Sequence, residues 1–178
     1  STERFTVGVV GWPLPQPAPV VRGFVVGDTY HRVALTAMGI DDPSAVYPPD
    51  LQMEALAAME GAIGDTSPVV TASIGSASAP LLEARYQAPA RTDRVYERIA
   101  EAMARVRPTQ ITLTRYQSLD AIGHYFLRFA LPSEFGDVTD EERRRLGGVL
   151  ERHYGVIDEK IGRAMAALGP DDLLIVVS

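Results

Sequence analysis

Residues 5–12, FTVGVVGW, form an almost unbroken apolar run rich in β-branched side chains, the pattern of a strand covered on both faces. Pro13, Pro15, Pro17 and Pro19 follow, and each removes a backbone donor and holds its predecessor extended, so this stretch reads as a connector. A second run at 23–27, GFVVG, predicts another strand and leaves Asp28 at its carboxyl end. Pro48, Pro49 and Asp50 mark the start of a helix with Leu51, Met53, Leu56 and Met59 as apolar contacts. Residues 61–90 carry many small residues and little periodicity; they predict an irregular insertion or lid with at most a short helix at 81–86. Beyond it, Thr92 is placed to cap a helix whose positions Val95, Ile99, Met103 and Val106 form one stripe, ended by Pro108.

The remainder alternates between the two periods. Residues 110–116, QITLTRY, read as a strand and 119–129 as a helix. Thr139 with Glu142 three residues on is a capping box. It opens one long helix with Leu146, Leu150, Tyr154, Ile157, Ile161, Met165 and Leu168 on its core face, over about seven turns. Residues 173–177, LLIVV, have the composition of a buried strand. Strands separated by helices predict an α/β fold with a mainly parallel central sheet flanked by helices. Right-handed crossovers predict that 110–116 and 173–177 lie side by side or nearly so. Ligands gather at the carboxyl ends of such strands, which places the expected site just after Tyr116 and near Ser178.

At 178 residues, one domain is the expectation, spanning 1–178. The absence of cysteine excludes disulfide scaffolds, zinc knuckles and thiol catalysis. A net charge of −6, from 17 basic and 23 acidic residues, argues against a nucleic-acid surface. The run of three arginines at 143–145 does not alter that, because Asp140, Glu141 and Glu142 precede it and the segment reads as a solvated helix start. No run is long enough to span a membrane, so a soluble protein is expected, cytoplasmic or exported.

The chemistry concentrates in Asp120 and His124 of LDAIGH. Four residues apart on a helix, a carboxylate and an imidazole project from one face and can meet one divalent ion. Such a spacing also describes an ordinary solvated helix pair; what favours ligation is its place just after a parallel strand, with Gly123 beside the histidine leaving room for an ion. His31, beside Asp28, reads as part of a polar loop, and His153 as a solvated or partly buried helix residue. Trp12 suits either a substrate pocket or a core anchor. Ser73, Ser76 and Ser78 lack the Gly-x-Ser-x-Gly elbow and an evident histidine, and no phosphate-binding glycine loop occurs.

From Val7 to Ser178 the chain resembles the type I phosphodiesterase and nucleotide pyrophosphatase family of the alkaline phosphatase superfamily. The resemblance is carried by GVVGWPLPQPAPVVRGFVVGD, by VYPPDL at 46–51, and by TRYQSLDAIGHYFLRF, EERRRLGGVLERHYGVIDEKIGRAM and DDLLIVVS in the last third. It implies an alkaline phosphatase-like fold, here an interior and incomplete portion, and a hydrolase working on phosphodiester or pyrophosphate bonds of a small phosphate ester or nucleotide. Two divalent ions are implied, zinc or manganese, with Asp120 and His124 as ligands of one, at most a half-site. The family's Asp-His-Gly is expected after Ser178, with a final histidine ligand beyond it. A metal-binding aspartate and a Thr or Ser nucleophile are expected before Ser1, which leaves this stretch inactive alone. Two other readings stay open: an inert structural or interaction module, and another branch of the superfamily, a phosphomonoesterase, phosphonate hydrolase or sulfatase. Oligomeric state is not legible.

Overall fold

The computed structural model describes residues 5–28, 43–65 and 79–178. His31, Ser73, Ser76 and Ser78 lie outside them. The architecture is α/β, and the described residues fall into two compact units: 5–28, 43–65 and 88–118 in the first, 79–87 and 119–178 in the second.

The first unit is built on a four-stranded mixed sheet. Strands β1 (Val7–Trp12), β2 (Gly23–Gly27), β3 (Val46–Tyr47) and β4 (Ile111–Thr114) run in the order β3-β2-β1-β4. β1 is parallel to both β2 and β4, as expected, while the unforeseen two-residue β3 runs antiparallel to β2. Helix α1 (Gln52–Gly64) follows a 3-10 turn at Pro49–Leu51, where Pro48 and Pro49 fix the approach. Leu51, Ala55, Met59 and Ala62 turn inward from it, whereas Met53, expected in the core, is 72% exposed.

Helix α2 (Ala79–Val106) is far longer than expected. Gly61–Gly64 complete α1 and 79–90 open α2, so the described residues of the expected insertion are helical apart from the extended Asp65. Pro89 sits within α2, and Thr92, instead of capping, donates its hydroxyl to the carbonyl of Ala88 at 3.1 Å. The Val95, Ile99, Met103 stripe is buried against Val10, Phe24 and Val26. Pairing of Gly8 with Phe24 and Val10 with Val26 puts these four on one sheet face. Gly8 is small because the Phe24 ring occupies the space its side chain would take. Gly11, at φ 75°, lets the Tyr96 ring and the Arg115 carbonyl approach within 3.0 and 3.1 Å of where a Cβ would stand.

The second unit is helical: the first turns of α2, then α3 (Ser118–Ala130, from Leu119 on), α4 (Pro132–Phe135), α5 (Asp140–Leu146) and α6 (Val149–Ala166). The single long helix expected from Asp140 onward is two. Gly147 and Gly148 part them, and a Cβ on Gly147 would meet the Arg143 carbonyl at 2.6 Å and the Phe129 carbonyl at 3.2 Å. α6 is also turned from its expected face. Val149, His153 and Lys160 are buried, while Tyr154 and Met165 are exposed. The strand expected at 173–177 is not formed: no strand is present there and Leu173, Ile175, Val176 and Val177 are exposed. A strand gains its stability from a paired neighbour, and among the described residues β4 has β1 alone. The predicted pairing of a 173–177 strand beside β4 is therefore not formed among the described residues.

Truncating the buried stripe tests this core. Ile99→Ala should lower unfolding free energy by about 2–5 kcal/mol, and Met53→Ala by under about 0.5 kcal/mol. Urea denaturation checks both; equal losses would contradict the packing.

Candidate ion-binding pair and its support

β4 ends at Thr114 and α3 begins at Ser118, so only three residues separate strand from helix. The first turns of α3 present Asp120 and His124 one above the other, with Asp120 Oδ1 3.6 Å from His124 Nε2. Both side chains point into solvent, 71% and 75% exposed. A Cβ on Gly123 would meet nothing within 4 Å, so the open space expected beside the histidine is present. Two donors held at about 2.0–2.1 Å from one tetrahedral ion stand about 3.3–3.4 Å apart. The pair needs only a small side-chain adjustment to reach that. Among the described residues no third His, Asp or Glu joins them in a metal-holding group.

The start of α3 is held by a residue that motif reading missed. Asp93, on α2, is 1% exposed. Its Oδ1 accepts the backbone N–H of Gln117 at 2.9 Å, and its two oxygens accept that of Ser118 at 3.3 and 3.2 Å. The Ser118 hydroxyl donates to Oδ2 as well. An N-cap side chain normally supplies such acceptors from within the chain's own turn; here another helix supplies them. The clue was available, since Asp93 falls in helical register with the buried Tyr96 and Met103, where an acid is tolerated only with donors to meet it.

The other candidates resolve as follows. Asp28 closes β2, with its N–H on the Trp12 carbonyl at 3.0 Å and its carbonyl accepting the Tyr96 hydroxyl at 2.6 Å. Trp12 is 41% exposed at the end of β1 and is no core anchor. The arginines at 143–145 follow a complete capping box. The Thr139 N–H and hydroxyl donate to Glu142 at 2.9 and 2.8 Å, holding its carboxyl below the usual range, and Arg144 pairs with Glu141 at 2.7 Å.

His153 is neither solvated nor partly buried: it is 1% exposed, in the second unit. The Tyr86 hydroxyl lies 3.1 Å from its Nδ1, with the rings edge to face at 5.5 Å. Burial, helped by the charge of Lys160, pushes the imidazole down to about 4, and burial pushes the Tyr86 phenol up to about 12. Both groups are thus neutral near pH 7, and the hydroxyl and Nδ1 share one hydrogen bond whose donor is set by the imidazole tautomer.

No family model matches the chain, and neither a curated protein nor a solved structure matches it. No helix among the described residues is long and apolar enough to cross a membrane.

Two outcomes follow. The folded state binds a proton at His153 only below about pH 4, the unfolded chain already below about 6.5, so this contribution is whole above pH 6.5 and is lost as pH falls toward 4. Urea unfolding between pH 7.5 and 4 should show a loss of up to about 3 kcal/mol from this group; a folded His153→Phe protein with the same slope would contradict it. By contrast His124→Ala should change stability by less than about 0.5 kcal/mol, as an exposed helix pair contributes little. A larger loss by the same measurement would make the pair structural.

Proposed function

We propose that this chain contributes to a metal-dependent phosphohydrolase of the type I phosphodiesterase and nucleotide pyrophosphatase kind, acting on phosphodiester or pyrophosphate bonds of a small substrate. The observation that carries the reading is the Asp120 and His124 pair, 3.6 Å apart and open to solvent at the start of a helix that follows a parallel strand. The likeness of TRYQSLDAIGHYFLRF to the family's ligand segment supports it, as does a sheet whose β2, β1 and β4 are parallel.

The donor set fits half of a tetrahedral shell: one carboxylate oxygen and one imidazole nitrogen, the hard and borderline ligands zinc and manganese accept. When bound, a divalent ion in such a site neutralises charge on a phosphoryl oxygen and lowers the pKa of a coordinated water. Within this chain, Asp120 and His124 hold and orient; nothing else in them bears on bond making. The remaining ligands and the nucleophile belong to other residues, and we place this chain by itself among inactive proteins toward activated phosphodiesters. An interaction module without catalysis is the second reading, favoured by the exposed apolar residues of 173–177.

Titration with Mn²⁺, followed by paramagnetic broadening of backbone amide signals, tests the proposal. Broadening should centre on residues 119–125 and vanish in Asp120→Asn and in His124→Ala. Broadening that spreads evenly over the acidic stretches at 140–142, 158–159 and 171–172, or survives both substitutions, would overturn it.

A further inference from the structure

The geometry points to Asp93 as a positioning residue for the ion-binding pair, an inference that rests on the ion-site reading above. Ser118 is the first residue of α3, so what holds the backbone at 117 and 118 favours a helical first turn, the conformation that sets Asp120 and His124 one turn apart on one face. Asp93 holds that backbone with one side chain. Its carboxylate gathers both amides and the Ser118 hydroxyl into a single acceptor.

Two physical facts make this more than a cap. The first turn of a helix leaves its N–H groups without intrahelical partners and carries a partial positive charge, so a carboxylate is the acceptor that suits it best. The donors in turn offset the cost of enclosing Asp93, since a buried carboxylate is stabilised by each hydrogen bond it accepts. Each side therefore holds the other, and the strand-to-helix turn at 115–117 is kept in one arrangement. Presentation of the two side chains toward one ion depends on a helical first turn, because only helical spacing stacks positions four apart on one face. Outer residues that orient ligands typically change metal affinity 10–100-fold when removed.

The test uses the full chain, with Mn²⁺ as the probe and its affinity read from the same amide broadening. Asp93→Asn keeps an acceptor oxygen but loses the charge and sets an amide NH₂ against the backbone donors. It should weaken Mn²⁺ affinity about tenfold at a temperature where circular dichroism shows the protein folded, and speed hydrogen exchange at the Gln117 and Ser118 amides. Ile99→Ala, in the same unit and at least as destabilising, should leave affinity unchanged, which separates positioning from stability. Should Asp93→Asn not fold, Ser118→Ala carries the test, removing one donor with an expected two- to threefold loss. Unchanged affinity in folded Asp93→Asn or Ser118→Ala, or an equal loss in Ile99→Ala, overturns the inference while leaving the ion site standing. If the unsubstituted protein gathers no Mn²⁺ at 119–125, the ion-site reading fails and the inference with it.

Discussion

A carboxylate removed from water must be met by donors, and in this protein the donors that meet Asp93 are those a helix cannot satisfy for itself. That reciprocity is the constraint on which the start of α3 depends. The strand β4 delivers the chain to residue 114, the Arg115 N–H still donates to the Val10 carbonyl at 3.0 Å, and the next bonded amides are those of Gln117 and Ser118 on Asp93. Without an acceptor at Gln117 and Ser118 the first N–H groups of α3 would lack a protein partner, as helix starts do by themselves. The buried acid supplies that partner at the start of α3. Packing supplies the complementary half, because Asp93 rides on the same helix as Tyr96, Ile99 and Met103, which are locked onto the sheet by Val10, Phe24 and Val26.

The second unit uses a different solution. Its centre is aromatic and partly polar: Tyr86 meets Phe126 and His153 edge to face, and the Tyr86 hydroxyl and His153 Nδ1 satisfy one another. A buried histidine in that position is accommodated while neutral and becomes a liability once protonated, so the unit's integrity is tied to pH. Gly147 lets the chain pass close to the Phe129 carbonyl and re-aim α6, which turns Val149, His153 and Lys160 inward.

Much of this was legible before any coordinates. The 23–27 strand stands at its expected bounds, the stripe of Val95, Ile99 and Met103 is buried, and the Thr139 and Glu142 capping box is formed in both directions. Those signals are local: β-branched runs, helical spacing and cap chemistry act within a few residues. What escaped depended on partners far along the chain. Residues 173–177 have the composition of a strand, but pairing makes the strand. The small residues at 79–90 looked irregular, yet Ala-rich sequence tolerates helix readily even around Pro89. The face of α6 was misjudged because Tyr154 and Met165 are apolar and His153 and Lys160 are not. Only the presence of Tyr86, 67 residues earlier, makes the polar choice the buried one. For the same reason the Asp120 and His124 pair was visible as a motif, while the acid that accepts the amides of Gln117 and Ser118 was not.

What joins sequence, fold and chemistry is thus one helix start, whose amides Asp93 accepts and whose first turns bear two ligand-type side chains. The measurement that bears on it most directly is anomalous scattering at the zinc edge from a crystal of this protein grown with Zn²⁺. The account predicts a peak between Asp120 Oδ1 and His124 Nε2, about 2.0–2.1 Å from each, with the Asp93 contacts to 117 and 118 intact. Zinc bound only at other acidic positions, or Asp120 and His124 turned apart with the site empty, would contradict it.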